Sequence, residues 1–442
     1  GAIQDVRVYS RQLSGAEVKQ LGGIEPLRAI LATPAEQRTP EQVNVLFEHY
    51  LATLDAEYPQ LAQTVSDQEA ELEAIRGRSP VTHIQEEKQN TPAMTHVLMR
   101  GEYDRPGEEV AAATPAALHP LKEGMPNNRL GLAEWLVDPA NPLTARVTVN
   151  RFWQQVFGRG IVVTAEDFGV MGALPTHPEL LDWLAIDFRE HGWDVKRFFK
   201  QILMSAAYRQ AAINTPEKLE KDRDNAYLSR GPRFRMDAEM VRDCALAASG
   251  LLSHAMFGPG VKPYQPTDIW SIVGLPGGDT RNYVQDTGDK LYRRTIYTFW
   301  KRMAPPPNLE AFNAPSREVC TVRRERTNTP LQALVTLNDP QFVEAARKLA
   351  ERALQAGGSD DAATLDMIAV RVLGRRFDDR ERPIVLADLA EYRRYYESQP
   401  EDAAALVAVG ESQRDASLDA VSLAAWTMVS NEVMNLDEAL NK

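Results

Sequence analysis

Residues 145–160 read ARVTVNRFWQQVFGRG, and the reading of this stretch decides the architecture. Val149, Phe152 and Val156 recur at helical spacing, with Trp153 at the edge of the same face. Arg146, Asn150 and Gln154 fall at i, i+4 and i+8 and form a polar stripe opposite them, with Arg151 alongside. An amphipathic helix is predicted. Its stripe is either solvated and paired with carboxylates, a buried polar network, or a face that holds an anion or a sugar. Arginine suits the last role because its planar fork matches a carboxylate or sulfate with two parallel hydrogen bonds.

Working outward, the chain remains helical on both sides. Asn141-Pro142 is expected to open the helix of 145–157, and Thr176-His177-Pro178-Glu179 to open ELLDWLAIDFREHG with a capping box. In MDAEMVRDCALAASGLL, Met240, Cys244, Ala247, Ala248 and Leu251 share one face, which places Cys244 in a core. The last third continues with TPLQALVTLN, DPQFVEAARKLAERAL, LDMIAVRVLG, LADLAEYRRYY and the closing SLDAVSLAAWTMVSNEVMNL. Between them lies a Gly- and Pro-rich stretch, 258–290, of a length usually tied to function or mobility. LYRRTIYTFWKR follows and reads as a buried strand or extended segment.

Upstream, 40–78 shows two helical stripes, Val43, Leu46, Phe47, Tyr50 and then Leu61, Val65, Leu72, Ile75, the pattern of a helical hairpin. Residues 81–120 mix β-formers, glycines and prolines and predict a small β-rich element or an extended arm. IQDVRVY at 3–9 reads as a strand, followed by a capping-box turn from Ser14 to Glu17. A single strand cannot bury its apolar face alone, so the polypeptide is expected to be a piece of a longer protein.

The chain of 442 residues is 43% hydrophobic, enough for two or three domains with sizeable cores. A formal charge of -12 argues against nucleic acid, which needs a basic footprint, and against anionic membranes. No apolar run approaches the roughly 20 residues of a membrane span. Cys244 and Cys320 are too few for a disulfide framework or a zinc motif, though one bridge between them is open. No Cys-x-x-Cys-His is present, so no c-type haem attaches here.

Three further groups qualify as candidate chemistry. The loop TAEDFGVMGALPTHPE gathers Glu166, Asp167, His177 and Glu179; Asp167 and His177 are the pair for acid/base work, while Glu179 and His177 also serve a helix start. The arginine-rich run from Arg317 to Arg326, which includes Arg324, precedes a helix expected to be capped by Thr329 and Gln332. It is either an anion site or a surface paired with some of the 62 acidic residues. Trp270 and Trp300, with Tyr283, Tyr292 and Tyr297, either stack on sugar rings or pack as core. Serine elbows, phosphate loops, dinucleotide fingerprints and His-Glu-x-x-His are absent from the sequence.

The blocks NPLTARVTVNRFWQQVFGRG, EDFGVMGALPTHPELLDWLA, SAAYRQ, LYRRTIYTFWKR, RTNTPLQALVTLNDPQF and NLDEAL occur in this order. Together they resemble the C-terminal domain of unknown function, DUF1553 of the PSD1 type, found in large planctomycete and verrucomicrobial proteins. RGEYDRPGEEV extends the resemblance upstream, and GAIQDVRVYSRQLSGAEVKQL looks like the end of a laminin-G-like sandwich. The resemblance implies an exported protein, periplasmic or at the cell surface, with a c-type cytochrome domain upstream and a role in handling complex, often sulfated glycans. It supplies no catalytic residues. The family's usual Phe-Asp-Ala-Pro is FNAP here, with Asn313 in place of the aspartate, which speaks against an obligatory catalytic acid there.

The expectation is a mainly α protein: the tail of a sandwich at 1–22, a helical hairpin at 23–80, a β-rich arm at 81–126 and a helical domain at 127–442. It carries no cofactor of its own. Its expected partners are the upstream domains, with haem on one of them, and a glycan. Two functions compete. One is a scaffold or binding module with Arg146, Asn150, Arg151, Trp153, Trp270, Trp300, Arg317 and Arg324 as ligand contacts. The other is a glycan-acting, haem-coupled oxidoreductase or a hydrolase using Asp167 and His177 with arginine clamps.

Overall fold

The computed structural model describes residues 6, 8–13, 27–79, 81–86 and 94–442. It is mainly α, and the described strands form one two-stranded antiparallel sheet. Residues 6 and 8–13 carry no regular structure; the remainder of the expected first strand and the Ser14 to Glu17 turn lie outside the described residues. The chain divides into two compact units, 1–94 and 95–442.

In the first unit, helix α1 (Pro40–Thr53) opens with a complete capping box, Thr39 accepting from the Gln42 N–H and Gln42 from the Thr39 N–H. Helix α2 (Tyr58–Arg78) follows after a short turn held by the Asp55 carboxylate. Neither helix has a buried residue.

The second unit begins with a hairpin, β1 (Thr95–Leu98) against β2 (Pro106–Val110), in the register Thr95 to Val110 and His96 to Glu109. Helix α3 (Arg129–Leu136) is capped by Asn128. Helix α4 (Thr144–Phe157) ends at Gly158, whose positive φ of 79° suits glycine. The Asn141 side chain accepts from the Leu143 and Thr144 N–H groups, so it opens α4 later than Pro142 suggested. With α5 (Pro178–Glu190) and α6 (Val195–Leu203), α4 encloses a first core of Val149, Trp153, Phe157, Leu184, Phe188 and Phe198. The expected capping box at Thr176 is not made: the Thr176 hydroxyl lies against Ile161 O and His177 Nδ1, and His177 occupies the cap position without capping.

After the short α7 (Pro216–Lys221), helix α8 (Ala238–Ser249) buries Ala238, Val241, Arg242, Ala245, Leu246 and Ala248. The buried face is therefore rotated from the expected one, and Cys244 is exposed. The rotation has a physical cause, because Arg242 turns inward. It donates to Leu291 O (2.6 Å), Arg293 O (2.9 Å), Thr295 Oγ1 (3.0 Å) and Gln341 Oε1 (2.5 Å). These bonds also explain why LYRRTIYTFWKR is not a strand. The arginine supplies donors that a neighbouring strand would have given, and the segment settles as two 3-10 turns, Gly288–Tyr292 and Thr295–Tyr297, with single bridges to Ser253 and Val261.

The short α9 (Ile269–Val273) and α10 (Pro307–Glu310) lie within and after the irregular stretch. Helices α11 (Pro330–Asn338), α12 (Pro340–Gly357), α13 (Asp361–Leu373), α14 (Glu381–Ser398), α15 (Pro400–Val407) and α16 (Ala420–Asn435) then build the main core. Its centre is Trp426 on α16, against Leu349, Ile368, Leu389 and the alanines of α12, whose small side chains let the helices approach closely. Gln332 does not complete a box with Thr329. It is buried and donates to Ala311 O and Thr327 Oγ1.

The main core also holds charges. Arg347, 1% exposed, donates to Glu351 (2.5 Å) and to Ser412 O and Oγ; the Tyr292 hydroxyl and the Ser412 N–H donate to Glu344, itself 0% exposed. Burial, followed by the bond to Glu344, pushes the Tyr292 hydroxyl well above its ordinary pKa. The fold closes on α17 (Asp437–Leu440) and a backbone stitch, Phe234 exchanging hydrogen bonds with Lys442 and Met236 N–H donating to Leu440 O.

Candidate functional site

The polar residues of α4 have three different fates. Asn150 is fully buried, and its side-chain amide pairs with one backbone unit, donating to Val162 O (3.0 Å) and accepting from Val162 N–H (2.9 Å). It clamps the loop after α4 and contacts no open surface. Arg146 binds Asp182 of α5 (2.6 Å) and Pro142 O (2.5 Å). Arg151 has no hydrogen bond or ion pair with any described residue and is exposed. The stripe is thus not a solvated face: Asn150 and Gln154 are buried. Trp153 is likewise buried, stacked on Phe157 at 4.2 Å between ring centres, and is not a ligand contact.

Arg151 opens into a cleft of about 410 Å³ whose other walls are Thr148, Phe152, Gln154 and Gln155 of α4, Asp237 before α8, and Thr321, Val322, Arg324 and Arg326 of the arginine-rich run. That run has no regular secondary structure and is held by its side chains. Arg323 binds Glu166 (3.3 Å), Arg324 forks onto both oxygens of Glu239 (2.5 and 3.1 Å), and Arg326 donates to Gly158 O (2.5 Å) while lying 4.2 Å over the Phe234 ring. Asn313, at a φ of 57° that asparagine tolerates, donates to Glu325 O and Thr327 Oγ1. An aspartate there could not donate these bonds, so the amide serves the run's anchorage.

The cleft's electrostatics follow from this layout. Burial raises the Glu239 carboxyl, but the Arg324 fork and charge outweigh it and leave it below its usual range. Burial lowers the Arg326 guanidinium, with Asp237 acting against it. Three guanidinium groups face two carboxylates, Asp237 and Glu239, so one positive charge remains. Asp237 makes no capping bond at the start of α8, and neither it nor the side chains of Gln154, Gln155 and Thr321 has a hydrogen-bond partner among the described residues. One unpaired cation, a carboxylate, two amides and a hydroxyl therefore converge on one space, a set suited to a polar ligand bearing one anionic group and several hydroxyls.

Arg151 and Arg324 meet in this cleft although they are far apart in the sequence. The other candidates lie elsewhere. Asp167 accepts from Gly169 N–H (2.7 Å), and its carbonyl from Thr164 Oγ1, within a turn where a side chain on Gly172 would sit 2.2 Å from Asp167 O. His177 contacts Thr176 and the edge of Tyr227. Neither lines the cleft, and neither is bonded to Arg146. Arg317 covers the face of Trp300 at 4.6 Å, and Trp300 donates to Ser316 O. Trp270 is 1% exposed beneath Tyr283, with Lys262 and Lys301 over its ring. Both tryptophans pack locally. Cys244 and Cys320 are free thiols, and among the described residues no His, Cys, Asp and Glu group converges as a metal site.

Asp237, Gln155, Thr321 and Arg326 escaped the sequence reading as ligand contacts. Asp237 stands at a cap position, which hides it, and nothing in the spacing of Thr321 or Gln155 sets them apart.

The family model for PSD1, a protein of unknown function (DUF1553), matches residues 128–389. This chain belongs to that family. No curated protein and no solved structure matches it. The PSD1 match contains all of α4, the cleft and the arginine-rich run, and ends within α14, whereas the main core of this PSD1 chain continues through α16.

Proposed function

We propose that this chain is a non-catalytic scaffold and binding module that holds an acidic saccharide, bearing a carboxylate or sulfate, in the cleft between α4 and the arginine-rich run. The observation that carries the reading is Arg151, an exposed arginine without a partner among the described residues, facing unengaged amide, hydroxyl and carboxylate groups. Arg151 takes the acidic group; Asp237, Gln154, Gln155 and Thr321 take ring hydroxyls. Binding is favoured over catalysis because Asp167 is engaged in its own turn and His177 lies outside the cleft. The setting that goes with this reading is a larger exported protein, periplasmic or at the cell surface, whose c-type haem sits on another domain.

Isothermal titration with uronate and sulfated oligosaccharides, beside neutral ones of equal length, tests it. Acidic sugars bind, weakening as salt screens the charge, and Arg151→Gln lowers affinity about tenfold. Equal binding of neutral sugars, or turnover of any sugar by the chain, overturns the reading.

A further inference from the structure

A second cavity, of about 340 Å³, lies away from the cleft, where α8, α11, α12, α13, α16 and α17 meet. Its walls are mostly apolar, Val241, Ala245, Phe342, Val372, Met434 and Leu440, with Thr336 and Cys244 among them. Among the described residues neither Asp nor Glu lines it. The volume is more than twice the about 150 Å³ that accepts a benzene ring in an engineered apolar cavity. At its rim stands one charged group, Arg371. Its Nε donates to Ala248 O (2.6 Å) and one terminal nitrogen to Ala247 O (3.2 Å), at the C-terminal end of α8. The other terminal nitrogen, Nη1, has no hydrogen-bond partner among the described residues.

Next to it, Arg352 donates to Ser249 O (3.4 Å), and neither arginine forms an ion pair with a described residue. Two guanidinium groups at a single helix end exceed what its carbonyls need. Burial, then the neighbouring Arg352 charge, lowers Arg371 below its ordinary value, a repulsion that a bound anion relieves.

We propose that this cavity binds an aliphatic carboxylate, its chain between α8, α12 and α16 and its head group on the open N–H of Arg371. The apolar walls select the chain, and the rim selects the charge. An amine of the same length meets the wrong sign, and an alcohol forgoes the charge-assisted bond. Room exists for a chain of roughly eight carbons. The site is separate from the saccharide cleft, so either proposal can fail without the other.

Cys244 provides the readout. It lines this cavity yet remains solvent-accessible, and burial by the surrounding protein pushes its thiol above the usual range. Cys320 sits on the arginine-rich run and serves as an internal reference. The full chain is titrated with hexanoate, octanoate and decanoate and with the matching primary alcohols and amines, and alkylation of both thiols is followed by mass spectrometry. Affinity rises about fourfold per methylene until the cavity is full. Decanoate slows alkylation of Cys244 but not of Cys320. Arg371→Gln retains an N–H for the α8 carbonyls and loses the preference for carboxylate over alcohol, with the chain-length dependence unchanged. Ala247→Phe, at an exposed position on the rim, abolishes binding without lowering Tm. The proposal falls if affinity is independent of chain length, if amines bind as tightly as carboxylates, or if both thiols are slowed equally.

Discussion

Arg347 in the main core and Arg151 on α4 are both helical arginines, yet they stand at opposite limits of what a charge does in a fold. Arg347 is enclosed, its two terminal nitrogens bonded to Glu351 and Ser412 and Glu344 nearby. Arg151 has no protein partner among the described residues and opens onto a cleft with other unengaged groups. The difference teaches where to seek ligands in a protein whose motifs name no chemistry: among polar groups the fold has not already satisfied, rather than among the densest charges.

The contrast yields its largest effect at Arg347. Arg347→Met leaves Glu344 buried without a cation and Glu351 with Lys348 alone, and denaturant unfolding should show a loss of about 3–5 kcal/mol. A loss below about 1 kcal/mol would mean that the core charges are not mutually dependent. Asn150→Ala comes next. It strands the buried N–H and C=O of Val162, for an expected loss of about 1–3 kcal/mol in the same measurement, with loop 158–176 more open to proteolysis.

Acid is a gentler probe. The folded Glu239 carboxyl titrates below its ordinary value, so its bond to Arg324 stabilises the protein fully above the ordinary carboxylate range. That contribution disappears as pH falls through the folded value. Melting curves from about pH 6 down to about pH 3 should converge for the wild type and Glu239→Gln at the acid end and separate at the neutral end. The smallest effect on stability belongs to Arg151→Gln, expected to stay within about 0.5 kcal/mol while binding of acidic sugars falls. A drop in Tm comparable to that of Asn150→Ala would erase the distinction between engaged and open arginines.

Much of the helical architecture was legible because period and punctuation are local. The apolar spacing of α4, α12 and α16 marks these helices, and the glycines at 158 and 374 adopt the positive φ that ends α4 and α13. Burial was less legible. Helices α1 and α2 carry stripes as regular as those of α4 but bury nothing within their unit. Period reports which residues share a face, not whether that face is covered. Cys244 was misplaced for a related reason: an inward arginine, Arg242, shifted the buried face of α8.

The site was legible in parts. Arg151 and Arg324 each stood out by residue type, but their meeting depends on side-chain anchors to Glu239 and Gly158, contacts between segments that spacing does not encode. The same holds for Asn150, whose partner Val162 lies beyond the end of its helix.

The stitch between 234–236 and 440–442 sets a schedule for translation. Phe234 and Met236 precede α8, yet the backbone groups that pair with them leave the ribosome only after α16 and α17 have been made. Until then the segment offers an unpaired edge, and joining ends so distant along the chain is slow relative to local helix formation. A nascent PSD1 chain can therefore assemble its α4–α6 body early, whereas the pairing of 234–236 with 440–442 waits until α16 and α17 have been made.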